Sequence, residues 1–231
     1  MSKVIAIVSG GLDSVTLAYL LHAEGYELHL LSFDYGQRHK KELAFAELCA
    51  KRLRATFDVI DLSSITRFLK GSALTDAIPV PDGHYAAPTM AITVVPNRNA
   101  MMLSVAYAVA VAEQAKVVAI GVHAGDHFIY PDCRPAFITA FDAMQRIAVE
   151  GFGEPQLRLE APFMYISKDQ IVQLGTSLQV PYVDTWSCYK GGEKHCGTCG
   201  TCIERKEAFE LAGFPDPTEY EVKVDIASLS S

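Results

Sequence analysis

Six consecutive residues, Ser9-Gly10-Gly11-Leu12-Asp13-Ser14, have the types and order needed to hold a phosphate. They follow an apolar, β-branched run at 4–8 and precede a helical pattern at 15–21. Glycines let the backbone approach a ligand closely, and free N–H groups at a helix N-terminus attract phosphate. The hydroxyls of Ser9 and Ser14 add further donors. The Asp13 carboxylate can hold the magnesium ion that accompanies a nucleotide. The ordinary alternative is a tight turn with a Ser or Asp cap. The paired glycines and the strand–loop–helix setting favour the nucleotide. No lysine follows the glycines, so this is not a Walker A loop, and G-x-G-x-x-G is absent.

A second constellation lies near the other end. Cys188, Cys196, Cys199 and Cys202 stand in the spacing C-x7-C-x2-C-x2-C. Four thiolates so spaced can close a tetrahedral shell around one structural zinc ion. Gly192, Gly197 and Gly200 allow the turns that aim them inward. A C-x2-C-x2-C run also ligates iron–sulfur clusters, which is the competing occupant. His195 could replace one sulfur, but four cysteines already complete the shell. Cys49 reads as a buried apolar residue, and Cys133 as a packing or pocket-lining thiol in a loop.

The elements that must position these groups alternate along the chain. Strands are expected at 4–8, 27–33, 57–62, 117–122 and 157–161. Helices are expected at 15–21, 40–53, 99–114, 135–149 and 167–178, the last two opening on a proline and on a serine cap. Such alternation predicts an α/β fold with a doubly wound, mostly parallel sheet. Residues 72–98 hold four prolines and read as a long irregular insertion. We divide the chain into a nucleotide-binding domain at 1–180 and a small zinc-binding subdomain at 181–231 that closes with a helix at 203–211. In doubly wound sheets ligands bind beyond the carboxyl ends of the strands. The Ser9–Ser14 loop and the segments 34–39 and 123–134 are therefore expected to face one crevice.

Of the 231 residues half are apolar and a fifth charged, with a net charge of −7. That is ordinary for a globular domain and argues against polyanion binding as the main task. No apolar stretch approaches the ~20 residues of a membrane span, and no secretory pattern opens the chain. A cytoplasmic setting is expected, in which clustered cysteines bind metal rather than form disulfides.

The loop Ser9–Ser14 resembles the PP-loop, S-G-G-x-D-S, of the ATP pyrophosphatase superfamily. Three further strings narrow the resemblance: Phe33-Asp34-Tyr35-Gly36-Gln37-Arg38-His39, Val95-Pro96-Asn97-Arg98-Asn99 and Tyr130-Pro131-Asp132-Cys133-Arg134. With the four cysteines they resemble the 7-cyano-7-deazaguanine synthase family of the queuosine pathway, from about residue 4 to residue 202. The resemblance implies an adenine nucleotide alpha hydrolase-like fold, ATP with magnesium, and conversion of 7-carboxy-7-deazaguanine and ammonia to the nitrile. The family's form of the second string is V-P-G-R-N. Asn97 replaces the glycine, and Asn tolerates a left-handed backbone better than most residues.

On this resemblance Asp13, Ser14 and Arg98 are the expected catalytic residues, and Ser9, Gly10, Gly11, Leu12, Asp13 and Ser14 the nucleotide cradle. Tyr35, Gln37, Arg38, Asp126, Asp132 and Arg134 are expected to wall the substrate. Arg38 and Arg98 offer planar forks to phosphate or carboxylate. Asp126 and Asp132 are alternative acceptors for the adjacent N–H donors of a guanine edge. Lys168 is either idle or a phosphate contact, and His39, His123 and His127 could carry a proton from ammonium. The expected partners are small molecules, with no nucleic acid and no membrane; a homodimer is left open. Three other functions compete: a tRNA-thiolating PP-loop enzyme, an ATP-binding sensor, and a relative that stops at an amide. The first needs a basic RNA surface that this acidic chain does not advertise.

Overall fold

The computed structural model describes residues 1–85 and 88–222. Residues 86–87 of the expected insertion and 223–231 of the expected subdomain lie outside the described residues. Five strands form one parallel sheet: β1 (Lys3–Ile7), β2 (Glu27–Asp34), β3 (Thr56–Asp61), β4 (Val117–Ala119) and β5 (Arg158–Glu160), in the order β3-β2-β1-β4-β5. Strand β1 is central, and Ile5 pairs with both His29 and Val118. Both faces of such a strand are covered, which is why it reads as an unbroken apolar run. The strand order reverses between β1 and β4, and that switch point opens a crevice.

Among the described residues six α-helices cover the sheet: α1 (Leu12–Ala23), α2 (Lys41–Leu53), α3 (Arg98–Ala112), α4 (Pro135–Ala148), α5 (Lys168–Ser177) and α6 (Gly200–Ala212). The period-two alternation of the strands separates two cores. Ile5, Ile7, Leu31 and Phe33 pack with Leu103, Tyr107 and Phe141 of α3 and α4. Val4, Ala6, Leu28 and Leu30 pack with Leu17, Ala46, Ile171 and Phe209 of α1, α2, α5 and α6. The sheet is doubly wound, as its sequence pattern predicts.

Two elements differ from expectation. The strand at 117–122 pairs only over Val117–Ala119. The chain then leaves the sheet at Gly121, where a Cβ would stand 3.4 Å from the Asp13 carbonyl oxygen. The closing helix begins at Gly200 rather than 203, so Cys202 lies in its first turn.

Candidate active site and cysteine centre

A cavity of about 240 Å³ opens at the carboxyl ends of β1, β2 and β4. Ser9, Gly11, Leu12, Asp13 and Ser14 line it. Gly10 does not reach the wall, but it makes the loop possible. Its φ is +88°, and a Cβ there would lie 2.2 Å from the Glu42 carbonyl oxygen. The Ser9 and Ser14 hydroxyls meet at 3.2 Å, and Ser14 Oγ donates to the Gly11 carbonyl. No side chain caps α1, which leaves its first N–H groups at the cavity for an anion.

Asp13 and Lys168 both line this cavity and pair directly. Asp13 Oδ2 is 3.2 Å from Lys168 Nζ, and Asp13 Oδ1 is buried with no hydrogen-bond partner among the described residues. An orphaned carboxylate oxygen beside a phosphate loop fits a hard divalent cation. Lys168 also meets Glu204 Oε2 of α6 at 2.5 Å. Burial works against its ammonium, but Asp13 and Glu204 outweigh that and hold it above the usual lysine range. Sequence reading left Lys168 undecided and passed over Glu204; nothing in the local pattern joins residues that far apart.

Asp126 lines the cavity with both oxygens engaged. Oδ1 accepts the Tyr85 hydroxyl at 3.1 Å, and Oδ2 accepts the His123 backbone N–H at 3.1 Å. His123 Nδ1 accepts the Gly125 N–H, so a neutral ring carries its hydrogen on Nε2. That nitrogen stands 3.6 Å from Asp126 Oδ1 and 3.9 Å from Glu204 Oε1.

Tyr35, Gln37, Arg38 and Arg98 also line the cavity. Gln37 is turned back on its own loop: Oε1 accepts the Tyr35 N–H and Nε2 donates to the Phe33 carbonyl. Arg38 Nη1 donates to the Ile78 carbonyl at 2.7 Å and so ties this wall to the insertion. Arg98 opens α3 immediately after Asn97, whose φ of +64° is left-handed. The turn that glycine would make is thus made by asparagine. Arg98 Nη1 donates to Tyr35 Oη at 3.3 Å, and among the described residues no carboxylate pairs with it.

Asp132 and Arg134 are placed differently from expectation, because the fold uses both elsewhere. Neither lines the cavity. Asp132 Oδ2 accepts the Asn99 backbone N–H at 2.9 Å, capping α3. Arg134 Nε donates to the His127 carbonyl at 2.9 Å. Conversely, Glu42 was not singled out, since an acidic residue in the first turn of a helix reads as a dipole complement. The structure sets it in the cavity wall. There burial pushes its carboxyl up to about 7, against the pull of Arg98 and Gln37.

The four cysteines converge. Their sulfur atoms all lie within 4.8 Å of one another, and Cys196 and Cys202 are 3.9 Å apart. Tetrahedral ligands at the usual zinc–sulfur length sit roughly 3.8 Å apart, so the arrangement fits a metal and is too wide for a disulfide. The N–H groups of Lys190 and Cys196 point at Cys188 Sγ, and those of Thr198 and Cys199 at Cys196 Sγ, at 3.3–3.4 Å. Such donors support thiolate charge. His195 is not a ligand: its Nε2 accepts the Ser187 N–H, and its ring lies on Trp186. The cysteine loop also touches the phosphate loop, because the Trp186 N–H donates to the Gly10 carbonyl at 2.8 Å.

A parallel sheet with a glycine–serine phosphate loop after its central strand, and a crevice at the switch point, defines an α/β protein of the PP-loop class. In fold it is similar to a solved structure of NMN synthetase from Francisella tularensis, with a TM-score of 0.51 at 15% identity over 93% of this chain and 78% of that one. Residues 3–213 match the family described as "Queuosine biosynthesis protein QueC", and the chain belongs to that family. It is 60% identical to a 7-cyano-7-deazaguanine synthase of Rhizobium meliloti, over 95% of this chain and 92% of the relative. It is 58% identical to that of Brucella ovis, over 95% of this chain and 94% of the relative.

Proposed function

We propose that this chain converts 7-carboxy-7-deazaguanine and ammonia to 7-cyano-7-deazaguanine with consumption of ATP. Its relatives carry the name of that activity. The observation that carries the reading at the site is the phosphate loop with Asp13, whose Oδ2 meets Lys168 and whose buried Oδ1 has no partner among the described residues. A carboxylate resists attack by ammonia because its oxide is a poor leaving group. Its oxygen attacks the α-phosphorus of ATP, and pyrophosphate leaves. Ammonia then displaces AMP, losing a proton, to give the amide. A second ATP activates the amide oxygen in the same way, and loss of AMP and the remaining protons leaves the nitrile.

In this reading Ser9 to Ser14 and the first N–H groups of α1 hold the phosphates. Asp13 holds magnesium, which offsets phosphate charge when bound. Lys168 faces the departing pyrophosphate, and Arg98 orients the acid. We assign the four cysteines one structural zinc ion, because a closed sulfur shell leaves no position for substrate. We keep residues 181–231 as the subdomain organised by that ion and 1–180 as the nucleotide domain. We place the reaction in the cytoplasm with small-molecule partners only. Among the described residues no helix is long and apolar enough to cross a membrane.

The test is to incubate the protein with ATP, magnesium, ammonium and the deazaguanine acid, and to identify the products by mass. Nitrile and AMP are expected; an amide alone would make it the relative that stops one step short. Asp13→Ala is expected to remain folded and to lose AMP formation. Normal turnover by that variant would remove Asp13 from the mechanism.

A further inference from the structure

Three carboxylates line the cavity among the described residues: Asp13, Glu42 and Asp126. Two are committed. Asp13 faces Lys168 beside the phosphate loop, and Asp126 accepts Tyr85 and the His123 backbone. Asp132, the other acid considered for the base, caps α3 instead. Glu42 alone is open. Its one side-chain hydrogen bond is a long one, from Gln37 Nε2 at 3.4 Å, and Gln37 is already held by the Phe33 carbonyl. Arg98 lines the same cavity, and among the described residues the Tyr35 hydroxyl is its one side-chain hydrogen-bond partner.

An open acceptor and an open guanidinium in one cavity complement a molecule with a donor edge and an anionic group. We propose that Glu42 is the residue that reads the heterocycle, its carboxylate accepting two adjacent N–H donors of a 2-amino-4-oxo pyrimidine edge. The inference rests on the reading of the site as one for a deazaguanine acid. Adenine, the other base that enters, sets an acceptor nitrogen beside its amino group, and an ionised carboxylate satisfies only one of the two. Each hydrogen bond to a charged acceptor carries roughly a tenfold or greater preference, and an acceptor nitrogen set against a buried carboxylate, or a carboxylate oxygen left unpaired, is penalised similarly.

The test is calorimetric titration of the full chain with three ligands: 7-carboxy-7-deazaguanine, its analogue lacking the 2-amino group, and a non-hydrolysable ATP analogue. In the wild type, deleting the 2-amino group is expected to weaken binding by about tenfold or more. Glu42→Gln is expected to bind the parent base about tenfold more weakly, to tell the two bases apart by less than about twofold, and to keep its affinity for the ATP analogue. A merely structural Glu42 would not couple to one exocyclic amine. Three results overturn the inference: wild-type indifference to the 2-amino group, undiminished discrimination by Glu42→Gln, or loss of nucleotide affinity instead. The first needs no variant and survives a Glu42→Gln protein that fails to fold. If the wild type binds neither base, the reading of the site falls and this inference with it; if it binds and Glu42→Gln changes nothing, only this inference falls.

Discussion

Asp126, Asp132 and Glu42 carry the same functional group, and what each can do is decided by the donors around it. Asp132 sits in a string that invites a substrate role, yet a backbone N–H of α3 has claimed its oxygen. Asp132→Ala is therefore expected to cost about 1 kcal/mol of stability, read by urea unfolding, as loss of a helix cap does. Its affinity for the base should match the wild type; a large loss would return Asp132 to the pocket. Glu42 has the opposite history. Desolvation lifts its carboxyl from 4.5 to about 7, and the Arg98 guanidinium and the Gln37 amide only partly restrain it. It is ionised above that value and protonated below it. An edge of N–H donors needs the ionised form, so base affinity is expected to weaken as pH falls through about 7. Titration of the base on either side of neutrality checks this, and Glu42→Gln should flatten the profile.

The elements were legible where side-chain period decides them. The apolar run of β1, the alternation of strand and helix, the serine cap of α5 and the proline that opens α4 all announce local structure, and the structure agrees within a few residues. The PP-loop and the cysteines were legible because their chemistry is carried by contiguous or evenly spaced residues. Contacts between distant segments left no such trace. The insertion bridges to the cysteine loop through Asp82 and Cys199. Arg205 of α6, 1% exposed, binds Thr185 Oγ1, the Tyr182 carbonyl and Asp216, fastening the segment that leads to the cysteines. From sequence it is one charge on a helix. Arg205→Ala is expected to destabilise the protein by about 3–5 kcal/mol, because it removes the cation beside a half-buried Asp216 and the buried hydrogen bonds to Thr185 and Tyr182. A change under about 1 kcal/mol in denaturant unfolding would show that the segment is held by packing alone.

At the scale of the whole molecule, the cysteine centre and the nucleotide loop are one construction. Trp186, Ser187, Cys188 and Tyr189 form part of the cavity wall, and the Trp186 N–H holds the Gly10 carbonyl where Gly10 turns against Glu42. Glu204, on the helix that bears Cys202, holds the lysine that faces Asp13. A metal that gathers the four sulfurs thus also fixes one side of the phosphate site. Trp186 is the single tryptophan; it is buried, stacks on Phe45 at 5.7 Å and donates its Nε1–H to the Cys188 carbonyl. It is a built-in reporter of this region. Chelation of the metal is expected to shift its emission to the red, lower the melting temperature and weaken binding of an ATP analogue, and added zinc should restore all three, since metal binding and folding are coupled. Metal analysis of the untreated protein should find one zinc per chain. Iron with acid-labile sulfide would replace zinc with a cluster. A chelated protein that keeps its emission and its nucleotide affinity would mean that packing around Trp186, and not the metal, organises the wall.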